Sequence, residues 1–262
     1  MYLEGLQNSR HILDEQRETH RFIGNLGQVY EEQGRYDEAE VLYDQCIEMM
    51  RRVLGEQHPY TLCFMSFLAR VYRQQGRYDK AEALYDKTLE IEQRVLGEQH
   101  HFTLWSIVGL ARLYTCQASY VQAEKLFTKA MESYQRVLGR EHRDTLDCMN
   151  GLAELYTAQR RFDEAETLLT TAVETSNRIL GHDHPWTLIS KNNMGVLYKE
   201  QGNYAKGEPL LLEALEGRRL KLGDTHPHTL ESLQNLIDLY EAWNKPEQAQ
   251  KWKAMLSSRP LP

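Results

Sequence analysis

Apolar residues recur along the chain at intervals of three and four, which is the spacing of one face of an α-helix. One such run consists of Leu62, Met65, Leu68, Ala69 and Tyr72. After the break "QGR" a second run follows, made of Tyr78, Ala81, Leu84, Tyr85 and Leu89. Two helical runs separated by so short a polar break predict an antiparallel helical hairpin, with a first helix and a second helix.

The hairpin is repeated at a fixed distance. The stretch "LGEQHPYTL" returns as "LGEQHHFTL", "LGREHRDTL", "LGHDHPWTL" and "LGDTHPHTL", each 42 residues after the last. A constant period of this size is typical of repeat arrays, in which each hairpin buries its apolar face against its neighbours. The sequence therefore predicts one continuous array of hairpins in place of separate domains.

The recurring stretch contains residues that end one helix and begin the next. A glycine follows each second helix, and we expect it to stop that helix in the left-handed conformation. Pro59, Pro185 and Pro227 fit the first position of the following helix, where the missing N–H is not needed. The histidines before these prolines, His58, His184 and His226, are then the N-cap residues. His100 and His142 recur at the same place in the period.

A zinc site is the chemical alternative for the histidines, and we do not favour it. Zinc requires three or four ligands at roughly 2.0 to 2.3 Å, whereas equivalent loops of stacked helices lie at least about 8 to 10 Å apart. Pairs within one loop, such as His182 with His184, stay possible but lack further ligands. We predict no metal and no cofactor.

Composition narrows the class of protein. The chain has 262 residues and a formal net charge of −7, which argues against general affinity for nucleic acid or anionic lipid. Four cysteines without a CxxC pair favour reduced thiols and a cytoplasmic location, and no signal peptide or membrane-spanning stretch is recognisable. No phosphate loop, H-E-x-x-H or G-x-S-x-G motif is present, so we do not expect an enzyme.

Three positions within the period carry a family resemblance. The first helix has a small residue followed three positions later by tyrosine, and the second helix has an alanine. These residues are Gly27, Ala69, Ala111, Ala153 and Gly195; Tyr30, Tyr72, Tyr114, Tyr156 and Tyr198; and Ala39, Ala81, Ala123 and Ala165. The pattern resembles tetratricopeptide repeats, in the 42-residue form of kinesin light chains and nephrocystin-like proteins. The resemblance implies an all-α fold, a right-handed α-solenoid of about six antiparallel helix-turn-helix repeats.

The period sets the expected boundaries of a single solenoid over 1–262. The ranges are 1–13 for a partial repeat or N-terminal capping helix, 14–55, 56–97, 98–139, 140–181 and 182–223 for repeats, 224–256 for a C-terminal capping repeat and 257–262 for a tail. In the last repeat Asn244 replaces the turn glycine and Pro246 begins the final helix. Trp243 and Trp252 stand where other repeats have smaller residues.

One face of the first helices is left for function. At 100° per residue the positions of Cys63, Ser66, Phe67, Arg70 and Arg73 lie opposite the apolar arc. In the resembled family this arc, together with its equivalents in the other repeats, lines the concave groove; we call it the groove face. The candidate peptide-binding residues on it are Asn25, Ser66, Phe67, Arg70, Arg73, Trp105, Val108, Arg112, Asn150, Asn192, Asn193, Lys199 and Asn235.

The candidate residues suggest a partner. Kinesin-light-chain-like repeats carry an Asn-Asn pair that holds the main chain of an extended peptide, and only Asn192 and Asn193 keep the pair whole. Phe67 and Trp105 offer an apolar anchor, and the arginines can pair with carboxylates. We therefore expect a protein or peptide partner with acidic and aromatic or aliphatic residues. Packing of Trp105 between first helices and an anion or nucleotide held by the arginines remain alternatives.

The resulting hypothesis is a protein interaction scaffold. Two other functions stay open: a sensor or partner-binding array of a larger signalling protein with a nucleoside-triphosphatase switch or a serine/threonine kinase, and self-assembly through residues 1–20.

Overall fold

Helical hairpins joined by short turns make up the part of the chain that the structure, a computed structural model, describes, which is residues 22–257. No strand occurs within those residues, so the all-α prediction is confirmed. The helices are α1 (22–32), α2 (Tyr36–Leu54), α3 (Pro59–Gln74), α4 (Tyr78–Val95), α5 (His101–Cys116), α6 (Tyr120–Val137), α7 (Arg143–Ala158), α8 (Phe162–Leu180), α9 (Pro185–Glu200), α10 (Tyr204–Leu222), α11 (Pro227–Ala242) and α12 (Pro246–Ser257).

The helices form two compact units, residues 1–117 and 118–262. Unit 1 contains α1 to α5 and unit 2 contains α6 to α12. The expected partial repeat at 1–13 and the assembly surface at 1–20 lie outside the described residues, and the continuity of the array stays a prediction. Between residues 22 and 257 no helix combines the length and the apolar character needed to cross a membrane.

Each histidine of the recurring stretch caps a helix, as predicted for His58, His184 and His226. The ring Nδ1 of His58, His142 and His184 accepts a hydrogen bond from the backbone N–H two residues later, at 3.2 to 3.3 Å. His100 and His226 make the same bond to Phe102 and His228. Because the first N–H groups of a helix have no partner inside it, the imidazole supplies an acceptor that they lack.

The glycine before each cap has a positive φ, but its conformation differs from the one expected. Gly55, Gly181 and Gly223 have φ between 90 and 95° and ψ between 162 and 171°, whereas the left-handed helical region lies near ψ +47°. The region they occupy is open essentially only to glycine. In three repeats a threonine of the next helix fixes the same turn, since Thr61, Thr145 and Thr187 donate to the glycine carbonyl.

The turn inside each hairpin has a different requirement. Its residue at positive φ is Gly34, Gly76 or Gly202 in three hairpins, with φ from 73 to 77°. In the others it is Ala118, Arg160 or Asn244, with φ from 56 to 60°. This turn therefore accepts side chains at a modest cost, and the turn between hairpins does not.

The core of both units repeats the residues that carry the family pattern. Ala39, Ala81, Ala123 and Ala165 are fully buried. The tyrosines of the first helices donate to glutamates of the preceding second helix, from Tyr114 to Glu82 in unit 1 and from Tyr156, Tyr198 and Tyr240 to Glu124, Glu166 and Glu208 in unit 2. At the C-terminus α12 begins at Pro246, as predicted, and Trp243 and Trp252 pack on the core.

One buried carboxyl in unit 1 stands apart. Glu92 of α4 has no exposed surface, and neither carboxyl oxygen has a hydrogen-bond partner among the described residues. Burial raises the pKa of Glu92 to about 7, while Ser106 acts in the opposite direction. Arg218, at the equivalent position three repeats later in unit 2, is also buried but donates to the carbonyl of His228 and the hydroxyl of Ser232.

The two kinds of turn predict opposite outcomes for one substitution. Gly181→Asn places a side chain at φ 92° and ψ 165° and should cost about 1 to 3 kcal/mol. Gly202→Asn introduces asparagine at φ 77°, in the kind of turn where the last hairpin already has Asn244. This substitution should cost less than about 1 kcal/mol. Urea midpoints of the two variants test this, and equal midpoints would show that the backbone does not distinguish the turns.

The buried carboxyl predicts that stability depends on pH. Because the pKa of Glu92 is raised from 4.5 to about 7 in the folded chain, the folded state holds its proton more tightly. Its contribution is complete below pH 4.5 and is lost as pH rises through about 7, by up to about 3 kcal/mol.

Glu92→Gln should remove this decline, so that the variant has a higher urea midpoint than the wild-type protein at pH 8 and a flatter profile. Glu90→Gln changes an exposed carboxyl on the same helix and serves as the control. A variant that keeps the wild-type decline would place the pH dependence elsewhere.

Candidate functional site

Part of the groove face holds neighbouring first helices together. The hydroxyl of Ser66 on α3 lies 2.6 Å from that of Ser106 on α5 in unit 1. In unit 2 the amide of Asn150 donates to Ser190 at 3.0 Å, and the hydroxyl of Ser232 donates to the amide oxygen of Asn192 at 2.9 Å. All three contacts join residues 40 positions apart. We call these positions the joint positions.

The joint positions accept other pairs of matching size. Gly24 leaves room for the ring of Phe64, because a Cβ at Gly24 would lie 2.5 Å from a ring carbon. Val108 occupies the first joint position of the third repeat and is buried. Ser66, Val108, Asn150 and Asn192 were expected to contact a peptide, yet all four are at most 3% exposed. In this structure they pack against neighbouring helices in place of a peptide.

The asparagine side chains next to the joint positions are also engaged within unit 2. The amide of Asn193 donates to a carboxylate oxygen of Glu154 at 2.7 Å, and that of Asn235 to Asn192 at 3.4 Å. Asn193 is only partly buried, and Lys199 pairs with Glu200 at 3.1 Å. The intact Asn-Asn pair is thus part of the array's own hydrogen bonding, and Asn25 of unit 1 is exposed.

A cavity of about 390 Å³ opens beside this pair in unit 2. Leu169 and Val196 contribute apolar surface, and Glu154, Thr157 and Asn193 contribute polar groups. The sequence analysis did not predict this cavity. A cavity forms where packed side chains are too small to fill the space between helices, and the local sequence pattern does not show this.

The predicted anchor forms a compact cluster in unit 1. The rings of Phe67 on α3 and Trp105 on α5 meet edge to face with centroids 4.8 Å apart. The guanidinium carbon of Arg70 lies 5.1 Å from the Phe67 centroid and 5.0 Å from the Trp105 centroid, within the range of cation–π attraction. Both aromatic side chains are partly exposed. We call these three residues the anchor cluster.

The anchor cluster has features of two of the hypotheses drawn from the sequence. Trp105 packs on Phe67 of the neighbouring first helix, in line with the structural alternative, and its side chain stays partly exposed, which the binding hypothesis requires. Because an aromatic ring contributes much contact area at little conformational cost, a partly exposed ring held in place by packing is a suitable anchor.

Arg70 differs from the expectation. Its guanidinium is already paired with a carboxylate of the chain, because Nε and Nη2 donate to the two carboxylate oxygens of Glu31 at 2.5 and 2.7 Å. The Glu31 side chain is 6% exposed and also accepts from the hydroxyl of Tyr43 at 3.2 Å. A buried bidentate pair of this kind serves the fold of unit 1.

The other two candidate arginines, Arg73 and Arg112, act electrostatically on a second tyrosine, Tyr85. Tyr85 is 2% exposed, and burial raises its pKa. The charges of Arg73, Arg70 and Arg112 lower the pKa and that of Glu31 raises it, so all four groups act on the hydroxyl. Arg73 has a buried Nε without a hydrogen-bond partner among the described residues, and its Nη1 points to the Cys116 sulfur at 4.0 Å.

Tyr43 and Tyr85 were missed by the sequence reasoning. They belong to second helices, where Tyr85 was counted in an apolar run and Tyr43 was not singled out, and both are buried. The available signal was that the chain has tyrosine at this position only in the first two repeats, with Phe127, Leu169 and Leu211 in the next three.

Comparisons with known proteins support the repeat architecture. A tetratricopeptide repeat family model matches residues 18–85, 61–135, 109–178, 150–219 and 190–254. No curated protein matches the chain in a sequence search.

Among solved structures, a kinesin-light-chain-like protein of Podospora anserina with nearly identical TPR-like repeats is 26% identical, with a TM-score of 0.58 over 77% of this chain and 95% of that chain. BtubC (BKLC) from P. vanneervenii is 22% identical, with a TM-score of 0.65 over 87% of this chain and 94% of that chain. NprR in complex with its cognate peptide NprX is 15% identical, with a TM-score of 0.67 over 96% of this chain and 73% of that chain.

The repeated hairpins, the family positions in the core and a family model that matches most of the chain lead to one conclusion: the chain belongs to the tetratricopeptide repeat family, with the helical repeats of the kinesin-light-chain type.

Proposed function

We propose that the protein is a non-catalytic, cytoplasmic binding module that holds an extended segment of a partner protein on the groove face of unit 1. The anchor cluster carries this proposal. It presents two partly exposed aromatic rings with Arg70 beside them, on helices that are joined by buried contacts. A preorganised surface of this kind loses little entropy when it binds.

The wider family supports the binding of a segment over catalysis. Tetratricopeptide arrays generally serve as protein-binding scaffolds, and NprR, which shares the fold, is known with a bound peptide. A fold alone does not determine a ligand, so the groove-face residues of this chain must define it. The four cysteines, which are free thiols in the structure, agree with a reducing compartment.

We revise the set of residues that the sequence analysis proposed for contact with the partner. Phe67 and Trp105 provide an apolar anchor for an aromatic or aliphatic side chain. Arg73 on the same face is only partly buried, and its Nε has no hydrogen-bond partner among the described residues, which favours an acidic residue in the segment. Asn193, Asn235 and Lys199 of unit 2 keep partly exposed side chains, and we propose that they extend the contact along the chain.

Removal of the anchor should weaken binding. Peptides selected by display on the wild-type protein should bind Trp105→Ala at least about 10-fold more weakly, because a central tryptophan commonly contributes 2 kcal/mol or more at an interface. Trp105→Phe should retain most of the affinity. Titration calorimetry with one selected peptide measures both variants.

Trp186→Ala is the matched control. Trp186 lies near the start of α9, with the Arg143 guanidinium 5.3 Å from its ring, and its loss should leave the affinity unchanged. Peptides that bind Trp105→Ala as tightly as the wild-type protein would move the site away from the anchor cluster.

A further inference from the structure

The repeat period shows which residue of a second helix lies against the joint positions of unit 1. In unit 2 the guanidinium of Arg218 on α10 donates to the hydroxyl of Ser232 at 2.7 Å, and this hydroxyl donates to Asn192 at 2.9 Å. Three periods of 42 residues earlier, the equivalent positions are Glu92, Ser106 and Ser66. Glu92 of α4 therefore lies against the joint between α3 and α5.

The residue at this place has opposite hydrogen-bonding character in the two units. Arg218 carries only donors, and they are used by the joint and by the carbonyl of His228. Glu92 is fully buried, and neither of its carboxyl oxygens has a hydrogen-bond partner among the described residues. The joint of unit 1 thus has an unsatisfied acid where the joint of unit 2 has a satisfied base.

The groups that face Glu92 belong to α3 and α5. Ser106 of α5 lowers the pKa of the carboxyl, against the larger effect of burial. On α3 the nearest titratable group is the Cys63 thiol, whose pKa is raised to about 12 by burial and by the charge of Glu92 and is lowered by Arg70. Arg70 itself is paired with Glu31. Near neutral pH the thiol stays protonated, so Glu92 is the group that changes charge here.

Ionisation of Glu92 is not compatible with the closed joint. The hydroxyls of Ser66 and Ser106 lie 2.6 Å apart, and one donates to the other. A hydroxyl has one hydrogen, so Ser106 cannot donate to Ser66 and to a carboxylate at once. A buried carboxylate with at most one hydrogen bond is costly, and separation of α4 from α5 lets water reach it. The neutral acid has no such requirement.

The same joint holds the anchor cluster in place. Ser66 precedes Phe67 on α3, and Ser106 follows Trp105 on α5. The two rings meet edge to face with centroids 4.8 Å apart. Because each ring is attached to the residue next to the joint on the same helix, a displacement of α5 at Ser106 moves Trp105 relative to Phe67.

We propose that Glu92 controls the anchor cluster through its proton: the neutral carboxyl keeps the joint closed and the two rings in contact, whereas the ionised carboxylate opens the joint, separates the rings and weakens the hold on the partner segment. The effect on the partner rests on the proposed function. The movement of the rings does not, and it can be measured without a partner.

The pH dependence of binding has a defined sign. The pKa of Glu92 is raised from 4.5 to about 7 in the closed form, so that form is favoured at low pH and is lost as pH rises through about 7. A histidine-free display-selected peptide should bind the wild-type protein about 10-fold more weakly at pH 8 than at pH 6, because one bound proton changes an affinity by up to a factor of 10 per pH unit. Titration calorimetry measures this ratio.

Two substitutions remove the charge in different ways. Glu92→Gln keeps the shape of the side chain, and Glu92→Met copies Met50, which is buried at the equivalent position of the preceding repeat. Both variants should bind the peptide equally at pH 6 and pH 8. Glu90→Gln changes an exposed carboxyl of the same helix and should keep the wild-type ratio.

Tryptophan fluorescence reports the rings directly. The chain has four tryptophans, and the difference in emission between a protein and its Trp105→Phe version isolates Trp105. This difference should change with a midpoint near pH 7 in the wild-type background and stay constant in the Glu92→Gln background.

The outcomes separate the proton control from the wider proposal. Peptide binding that depends on Trp105 but is equal at pH 6 and pH 8 would overturn the control and leave the binding module in place. A Trp105 emission that is constant with pH, or a change that persists in both Glu92 variants, would also overturn it. A change in emission that only Glu92→Gln and Glu92→Met remove supports the control, even where no peptide is enriched and the binding module itself is contradicted.

Discussion

The turn between successive hairpins is the constraint on which the described structure depends. A glycine in a conformation that other residues avoid ends each second helix, and three residues later the Nδ1 of a histidine caps the next first helix. In three repeats a threonine hydroxyl bonds back to the glycine carbonyl. Because this turn recurs with a period of 42 residues, equivalent side chains return to equivalent places, and each repeat can be compared with the next.

Because of this period, differences between residues at equivalent positions of two repeats show which changes the packing tolerates. At the joint positions serine, asparagine and glycine all occur, each matched by its neighbour, so the packing of first helices tolerates change where both partners change. The equivalent positions Glu31 and Arg73 do not follow this rule. Glu31 accepts hydrogen bonds from Arg70 and Tyr43, whereas the buried Nε of Arg73 has no hydrogen-bond partner among the described residues.

Much of the fold could be predicted from the sequence, because period, helix spacing and capping residues are local signals. The helix that begins at Pro246 and the caps at His58 and His184 follow from them directly. The site could be predicted only as a face. Whether Arg70 points outward or pairs with Glu31 depends on a contact between residues 39 positions apart, and no local pattern contains that information. The ψ angle of Gly55 was missed for a similar reason, since positive φ alone allows several conformations.

The most direct test of the account is a crystal structure of the wild-type protein with one display-selected acidic peptide. The account predicts an aromatic or aliphatic side chain of the peptide against Phe67 and Trp105, with an acidic residue of the peptide nearby on the groove face of unit 1. A peptide bound on the opposite face, or one that does not contact Phe67 and Trp105, would contradict it.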